Sequence, residues 1–562
     1  MLTGHGLLVA ALGLVVACCS GPAQVVGTAP QPKPQPHSQP GRCLLLTTND
    51  SESNFDGPRA GAPGSQEFLV PIARVAGEKQ RMQADRGAAN VLLVEGGDVL
   101  QGRYLARADG NRADAAAAAL GLYERAGYDL GVFGNHEFDG GPKVLRAALE
   151  RLTRYRLLVA NLDAAGTALD PVTDQRAGGR LYEATALVEC GGLRVGFFGL
   201  LTPTTKTISD FGDVRFASDP LVSPAREAVA ALRGAGAEVV VALTHLGVGD
   251  DVALAAAVTG IDAIVGGHSH TALPQARRVG RTWITQTGAR FANLGRLEFV
   301  RGADGGFDPA QTSWRLDPID GALAPDPAIV AAAAALRATL VPERTIGSRA
   351  IAWDLTPGRL VPYARRTARA MATRASAATL RPVDGALMNL GGLRSATLYP
   401  VGPVTNVDVA AIHPFPNRLV VVDLPGAHLR AVLEHICSAA GDDRHGAGAV
   451  TWGIAFRCDV QRKMVRYEWQ DNRPIRIAEP GERVLDATVA GRPLQPSATY
   501  RLATLDYLAK GGSGYFPLTL GDRRCLDGQP FVPARPCETT PLLADVIEDA
   551  VRAGTLDADL PN

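Results

Sequence analysis

Two histidines separated by one serine close an apolar run in "IVGGHSH", so His268 and His270 follow a glycine pair in a 562-residue chain that has ten histidines in all. Four more apolar runs end on side chains able to do chemistry: "LLLTTN" on Asp50, "LLVEGG" on Asp98, "LGVFG" on Asn135 and His136, and "VVVALT" on His245. A single histidine pair is ordinarily a surface or core feature. Carboxylates, imidazoles and an amide at five successive run ends are instead the donors that hold a pair of divalent metals. Such ions polarise phosphoryl oxygens and lower the pKa of a bound water, so hydrolysis of a phosphate ester is the chemistry this set suits.

Those residues need a scaffold that gathers them. From residue 42 to about 320, apolar runs of four to seven residues alternate with glycine or polar breaks and helical stretches. One helix is expected around Ile72, Val75, Ala76, Lys79 and Met82, and an alanine-rich one over Ala113–Ala126. This rhythm predicts an α/β domain with helices covering a sheet. Strand C-terminal ends of such a sheet meet at one edge. In an extended segment residues i and i+2 point the same way, so His268 and His270 are expected to project together with Ser269 turned aside. The preceding glycines leave room for the backbone to approach an ion.

The helical pattern between Pro325 and Arg344 looks like a connector, and from residue 345 helix and strand alternate less strictly around the tight loops "NLGGLR", "HPFPN" and "KGGSGY". A second, α+β domain is expected there. Lys plus Arg and Asp plus Glu each number 57, which leaves none of the basic excess that a nucleic-acid polymer would demand. Leu7–Ala17 is apolar but only 11 residues long, too short for a membrane span and suited to a signal-peptide core over residues 1–18. Residues 19–41 form a proline-rich tether. Cys525 with Cys537 is the favoured disulfide, Cys437 with Cys458 the second; Cys43 and Cys190, in apolar strand-like runs, are expected as buried free thiols.

"VVAC", Val15 to Cys18, resembles the lipobox of bacterial lipoproteins, which implies lipidation of Cys18 and an exported chain facing the periplasm or cell surface, membrane-attached through that anchor. "TND", "GGD", "GNHEFDGG", "THLG" and "GGHSH" together resemble the successive motifs of the calcineurin-like metallophosphoesterases, in their 5′-nucleotidase branch. "NLGGLR", "IHPFPN" and "TLDYLAKGGSGY" resemble that branch's substrate-binding domain. The resemblance implies an N-terminal four-layer α/β/β/α sandwich over 42–322, a connecting helix over 323–344 and a C-terminal α+β domain over 345–555. It implies that Asp98 bridges two divalent ions (manganese, zinc, magnesium or iron), with Asp50 and His270 on one and Asn135, His245 and His268 on the other. His136 and Asp139 match the family's catalytic pair. Arg394 would meet substrate phosphate, Phe415 and Tyr507 would sandwich a nucleobase, and Asn417 would hydrogen-bond it.

Three positions depart from the family pattern. Glu52 stands where a metal-binding imidazole belongs, and as an oxygen ligand it would shift preference from zinc toward manganese or magnesium. Leu390 replaces an arginine, and Ser513 replaces an aspartate expected to meet the ribose diol. The expected activity is hydrolysis of 5′-nucleotides or related phosphate esters. Alternatives are a 2′,3′-cyclic-nucleotide phosphodiesterase, a UDP-sugar hydrolase, or a lipoprotein that binds nucleotide or metal without turnover.

Overall fold

The protein is described by a computed structural model covering residues 41–57, 69–101, 112–170, 181–303, 306–340, 342–356, 358–394, 397–439, 448–470, 473–533, 537 and 539–558. Cys18, the signal-like segment and the tether up to residue 40 lie outside the described residues. Among these residues no helix is long and apolar enough to cross a membrane.

Two six-stranded mixed sheets form the first domain. One runs, edge to edge, Phe307–Pro318, Asn293–Arg301, Arg42–Thr48, Val91–Glu95, Leu130–Val132 and Arg156–Leu158. The other runs Arg277–Val279, Thr282–Thr285, Ala263–Val265, Val239–His245, Leu193–Leu201 and Thr185–Cys190. The strands that carry the chemistry are parallel neighbours: Arg42–Thr48 with Val91–Glu95 with Leu130–Val132, and Val239–His245 with Ala263–Val265. Their central residues are apolar because both faces are covered. Leu45, Val94, Val132, Val195, Val241 and Val265 fill the space between the sheets. The outer face of one sheet packs on helices Pro71–Arg86, Arg112–Ala126 and Pro142–Leu149, and the outer face of the other on Val222–Gly234 and Val248–Ala257. The order is therefore helix, sheet, sheet, helix, the expected four layers. Helix Pro327–Leu340 is more than a connector, since Ile329 and Ala333 are buried in the first domain's helical layer.

One expectation is overturned here. Cys43 and Cys190 are disulfide-bonded, with Cα atoms 5.1 Å apart across 147 residues of sequence. Cys43 sits on the central strand of one sheet and Cys190 on the edge strand of the other, so the bridge crosses the apolar space between the layers. Both runs are apolar because they face that space, which made the pair look like unreactive core. Cys437 pairs with Cys458 and Cys525 with Cys537.

The second domain centres on a five-stranded sheet ordered Ala449–Trp452, Gly385–Asn389, Thr499–Leu505, Leu419–Pro425 and Asp522–Cys525. Helices Val361–Thr379, Gly426–Ala439 and Leu543–Arg552 pack on it. Its loops after Asn389 and Ile412 carry Arg394 and Phe415 to the rim of the first domain. There Gln101, His136 and Asp139 line a cleft together with Pro414 and Pro416.

Candidate active site

The strand ends are laced into one rim by the backbone. The N–H groups of Asp50, Glu52 and Ser53 donate to the carbonyls of Gly97, Asp98 and Val99, each at 2.9 Å. Glycine is required where these loops touch. A Cβ on Gly97 would lie 2.7 Å from His245 Nδ1, and one on Gly134 would collide with the Asp98 carboxylate. Five of the donors do not sit in extended chain. Asp50, Glu52, Asp98, His268 and His270 all have left-handed backbones, with φ of 50°, 47°, 60°, 78° and 53°. The i, i+2 argument for His268 and His270 therefore fails, and their rings serve different halves of the site. His268 joins Asp98 and His245 in a group whose donor atoms lie within 4.8 Å of one another. His270 Nε2 stands 3.2 Å from Asp50 Oδ1 and 3.6 Å from Glu52 Oε1. Ser269 is turned aside, accepting from the Val248 N–H at 3.2 Å.

The residues fit divalent cations. His245 Nδ1 donates to the Gly96 carbonyl at 2.8 Å, which leaves Nε2, 3.0 Å from Asp98 Oδ2, as the nitrogen that would take a cation. His245 Nε2, Asn135 Oδ1 and Glu52 Oε1 are all buried with no hydrogen-bond partner. Three unpartnered polar atoms gathered at one rim are costly unless something binds them. Electrostatics agree. Burial pulls the His245 imidazole down, yet Asp98 and Asp50 outweigh it and hold its pKa up at about 10. Burial would raise Asp98, but His245 and His136 keep its carboxyl far below the ordinary range.

His136 lies at the junction of the two domains. Its Nδ1 is 2.8 Å from Asp139 Oδ2, and its backbone N–H donates to Asp98 Oδ1 at 2.8 Å. Burial lowers the ring's pKa, but Asp139 and Asp98 overcome burial and raise it to about 9. Arg394 Nη2 is 3.5 Å from His136 Nε2, and the Arg394 guanidinium lies 5.1 Å from the Phe415 ring centroid. Tyr507 packs against Gly512 and its hydroxyl accepts from the Ser513 N–H at 3.1 Å. Asn417 is fixed through its backbone, whose carbonyl accepts from the Leu543 N–H at 2.8 Å.

Glu137, whose neighbours carry the chemistry, is a clamp. Its carboxylate accepts from the N–H groups of Asp98 (3.0 Å), Val99 (2.6 Å), Leu100 (3.0 Å) and Gly134. Sequence reading missed several residues. Arg290 donates to Glu52 at 2.6 Å; it follows "QTGA", with no pattern in the chain to mark it. Glu95 ends a strand as an apparent polar break but is wholly buried; burial first, then Asp50 and Glu137, push its carboxyl well up.

Asp251 was also missed. It accepts from the Thr244 hydroxyl at 2.7 Å while its Oδ2 is buried without a partner. Burial raises its pKa to about 7 from 3.8, with Asp250 adding and the Thr244 bond opposing. A folded pKa above the unfolded one means stability present below pH 3.8 and lost as pH rises through 7. Asp251→Asn is expected to stabilise the protein at pH 8 by about 1–3 kcal/mol and to do nothing below pH 3.8, as read from denaturant melts at both pH values.

The calcineurin-like phosphoesterase family profile matches residues 74–272, and the profile for the 5′-nucleotidase C-terminal domain matches residues 362–519. The first span holds Asp98 through His270, and the second holds Arg394, Phe415, Asn417, Tyr507 and Ser513. Protein UshA of Yersinia enterocolitica is 25% identical over 521 residues, spanning 84% of this chain and 86% of its own length. The probable 5′-nucleotidase of Treponema pallidum is 27% identical over 556 residues, spanning 85% and 87%. The crystal structure of a 5′-nucleotidase precursor from Thermus thermophilus has a TM-score of 0.72 at 26% identity, over 92% of this chain and 97% of that one. With fold, rim and both profiles in the same order along the sequence, the chain belongs to the calcineurin-like phosphoesterases that carry a 5′-nucleotidase C-terminal domain, a family of metal-dependent phosphoester hydrolases.

Proposed function

We propose that the protein hydrolyses phosphate esters of nucleosides, 5′-nucleotides foremost, in a two-cation site that its C-terminal domain completes. The observation that carries this reading is the meeting of Arg394 and Phe415 with His136 across the domain boundary, which puts a guanidinium and an aromatic face beside the donor rim. Asp98 would be shared by both ions, Asn135, His245 and His268 would hold one, and Asp50, Glu52 and His270 the other. When bound, the cations supply Lewis acidity and an acidified water. The rest falls to the chain. Arg394 orients the phosphoryl group with a planar fork of donors. Asp139 fixes the His136 ring and raises its pKa, which favours the protonated ring that can donate to a departing oxygen. Phe415, Tyr507, Asn417 and Ser513 would meet the nucleoside, with Ser513 a weaker partner for a diol than a carboxylate.

A phosphate-release screen over AMP, UDP-glucose, cyclic nucleotides and sugar phosphates, with the metal varied, tests this. AMP with manganese is the expected best pair. Inertness toward all substrates with metal demonstrably bound would favour a binding protein. His136→Asn is expected to lower kcat by about 10²–10⁴ while metal content stays unchanged, measured by steady-state kinetics beside elemental analysis.

We further read the protein as exported and tethered by a lipid on Cys18. The 11-residue apolar segment, the "VVAC" sequence and the proline-rich stretch behind it support this, as do three disulfides, which need an oxidising compartment.

A further inference from the structure

Two guanidinium groups converge on one buried carboxylate in the half of the site built by Asp50 and His270. Arg290 Nε donates to Glu52 Oε2 at 2.6 Å, and Arg394 Nη1 stands 3.6 Å from Glu52 Oε1. Arg290 is built into that position by its own backbone. Its N–H donates to the Asp50 carbonyl at 2.8 Å, and its φ is 53°. Asp50 is also engaged, accepting from the His268 N–H at 3.0 Å and the Asn49 amide at 2.6 Å. The half formed by Asp98, Asn135, His245 and His268 is different. Among the described residues the ion partners of Asp98 are imidazoles alone, and two of the atoms in that half have no hydrogen-bond partner.

We propose that Arg290 sets the cation affinity of the Asp50–Glu52–His270 half, making the rim one tight and one weak position. It does so as a positioning residue acting through Glu52. It occupies one carboxylate oxygen and places a fixed positive charge beside the donors that an incoming cation must use. A divalent ion in that half meets a like charge at close range in a buried, weakly screened setting. The other half presents a carboxylate, an amide oxygen and the imidazoles of His245 and His268, and among the described residues no guanidinium pairs with its carboxylate. Glu52 therefore keeps the weak half from failing altogether, and Arg290 keeps it from matching its neighbour.

This rests on the divalent-cation reading of the rim, and the test separates the two. Chelator-stripped, full-length protein is titrated with Mn²⁺ alone, without substrate, by calorimetry, by equilibrium dialysis with elemental counting, and by electron paramagnetic resonance. The expected result is two affinity classes about 100-fold or more apart, with an isolated-ion spectrum at one equivalent and spin coupling only at excess metal. Arg290→Met should tighten the weak class about tenfold and move the tight class less than about twofold, because the repelling charge and the competing hydrogen bond vanish together. Glu52→Gln should weaken the weak class further. If Arg290→Met does not fold, Arg290→Lys, which keeps the charge, should leave the weak class within about threefold, and a tenfold tightening there would overturn charge as the cause. Two equal classes in the unaltered protein, or equal loosening of both classes in Arg290→Met, overturns the proposal alone. No Mn²⁺ bound in either class overturns the metal reading with it.

Discussion

Asp98→Asn is expected to abolish turnover and to strip the protein of tightly held metal. In the proposed reading this carboxylate is shared by the two halves of the rim. One oxygen accepts from the His136 N–H at 2.8 Å, and the other lies 3.0 Å from His245 Nε2. An amide in its place keeps the volume and one acceptor but removes the negative charge that both cations would share, and it turns an N–H₂ toward the His245 lone pair. The donors nearest to it, Asn135, His245 and His268, would meet a cation as neutral groups, and Asp50 and Glu52 belong to the other half, so the lost charge would not be made up there. Elemental analysis after dialysis and a phosphate-release assay check the two halves of the expectation. An Asp98→Asn protein that keeps full metal and measurable activity would remove Asp98 from the centre of the site. The contrast with His136→Asn is the useful one, since there activity falls while metal stays.

Glu137→Ala carries the largest expected cost in stability. Four backbone N–H groups, those of Asp98, Val99, Leu100 and Gly134, converge on one buried carboxylate. Truncation leaves all four without an acceptor in a place where water has little access. One unsatisfied buried group costs about 1–3 kcal/mol, and hydrogen bonds to charged acceptors sit at the upper end, so a loss of about 3–5 kcal/mol is expected after the loop relaxes. Glu137→Gln keeps one acceptor oxygen and should lie between. Because the clamp holds the turn that presents Asp98, metal affinity should fall as well, about 10- to 100-fold. Denaturant midpoints for both variants, with and without metal, measure it. A Glu137→Ala protein as stable as the parent would mean the loop is held by something else.

Much of this is legible in the chain itself. The strand-end residues Asp50, Asp98, Asn135, His136, His245, His268 and His270 can be read off because parallel sheets place strand C-termini together, and apolar runs mark strands well. How the donors divide is implied by the motif resemblance and not by periodicity. Alternation along an extended strand assigns both imidazoles of "HSH" to one side, but the backbone there is left-handed and sends them to different halves. Pairings across long separations are also hidden. Cys43 meets Cys190 only because two sheets stack, and Arg290 meets Glu52 only because a loop after Thr285 folds back over the first strand end. Glu95 and Asp251 are invisible for a different reason: an acid at the polar end of an apolar run, or in the acidic pair Asp250 and Asp251, reads as solvated surface, whereas both are wholly buried.

Left-handed conformations recur at the rim, on Asp50, Glu52, Ser53, Asp98, His268, His270, Arg290 and Phe291. Glycine would adopt these shapes without penalty but brings no donor atom. Each such residue is a loaded spring whose catch is the contact its side chain makes. For Asp50, Glu52, Asp98, His268 and His270 the catch would include a bound cation, and its removal by chelation would open a downhill route toward ordinary backbone, so this edge should be the first part of the molecule to breathe. Amide hydrogens there should exchange early, while the stacked sheets behind them stay shut.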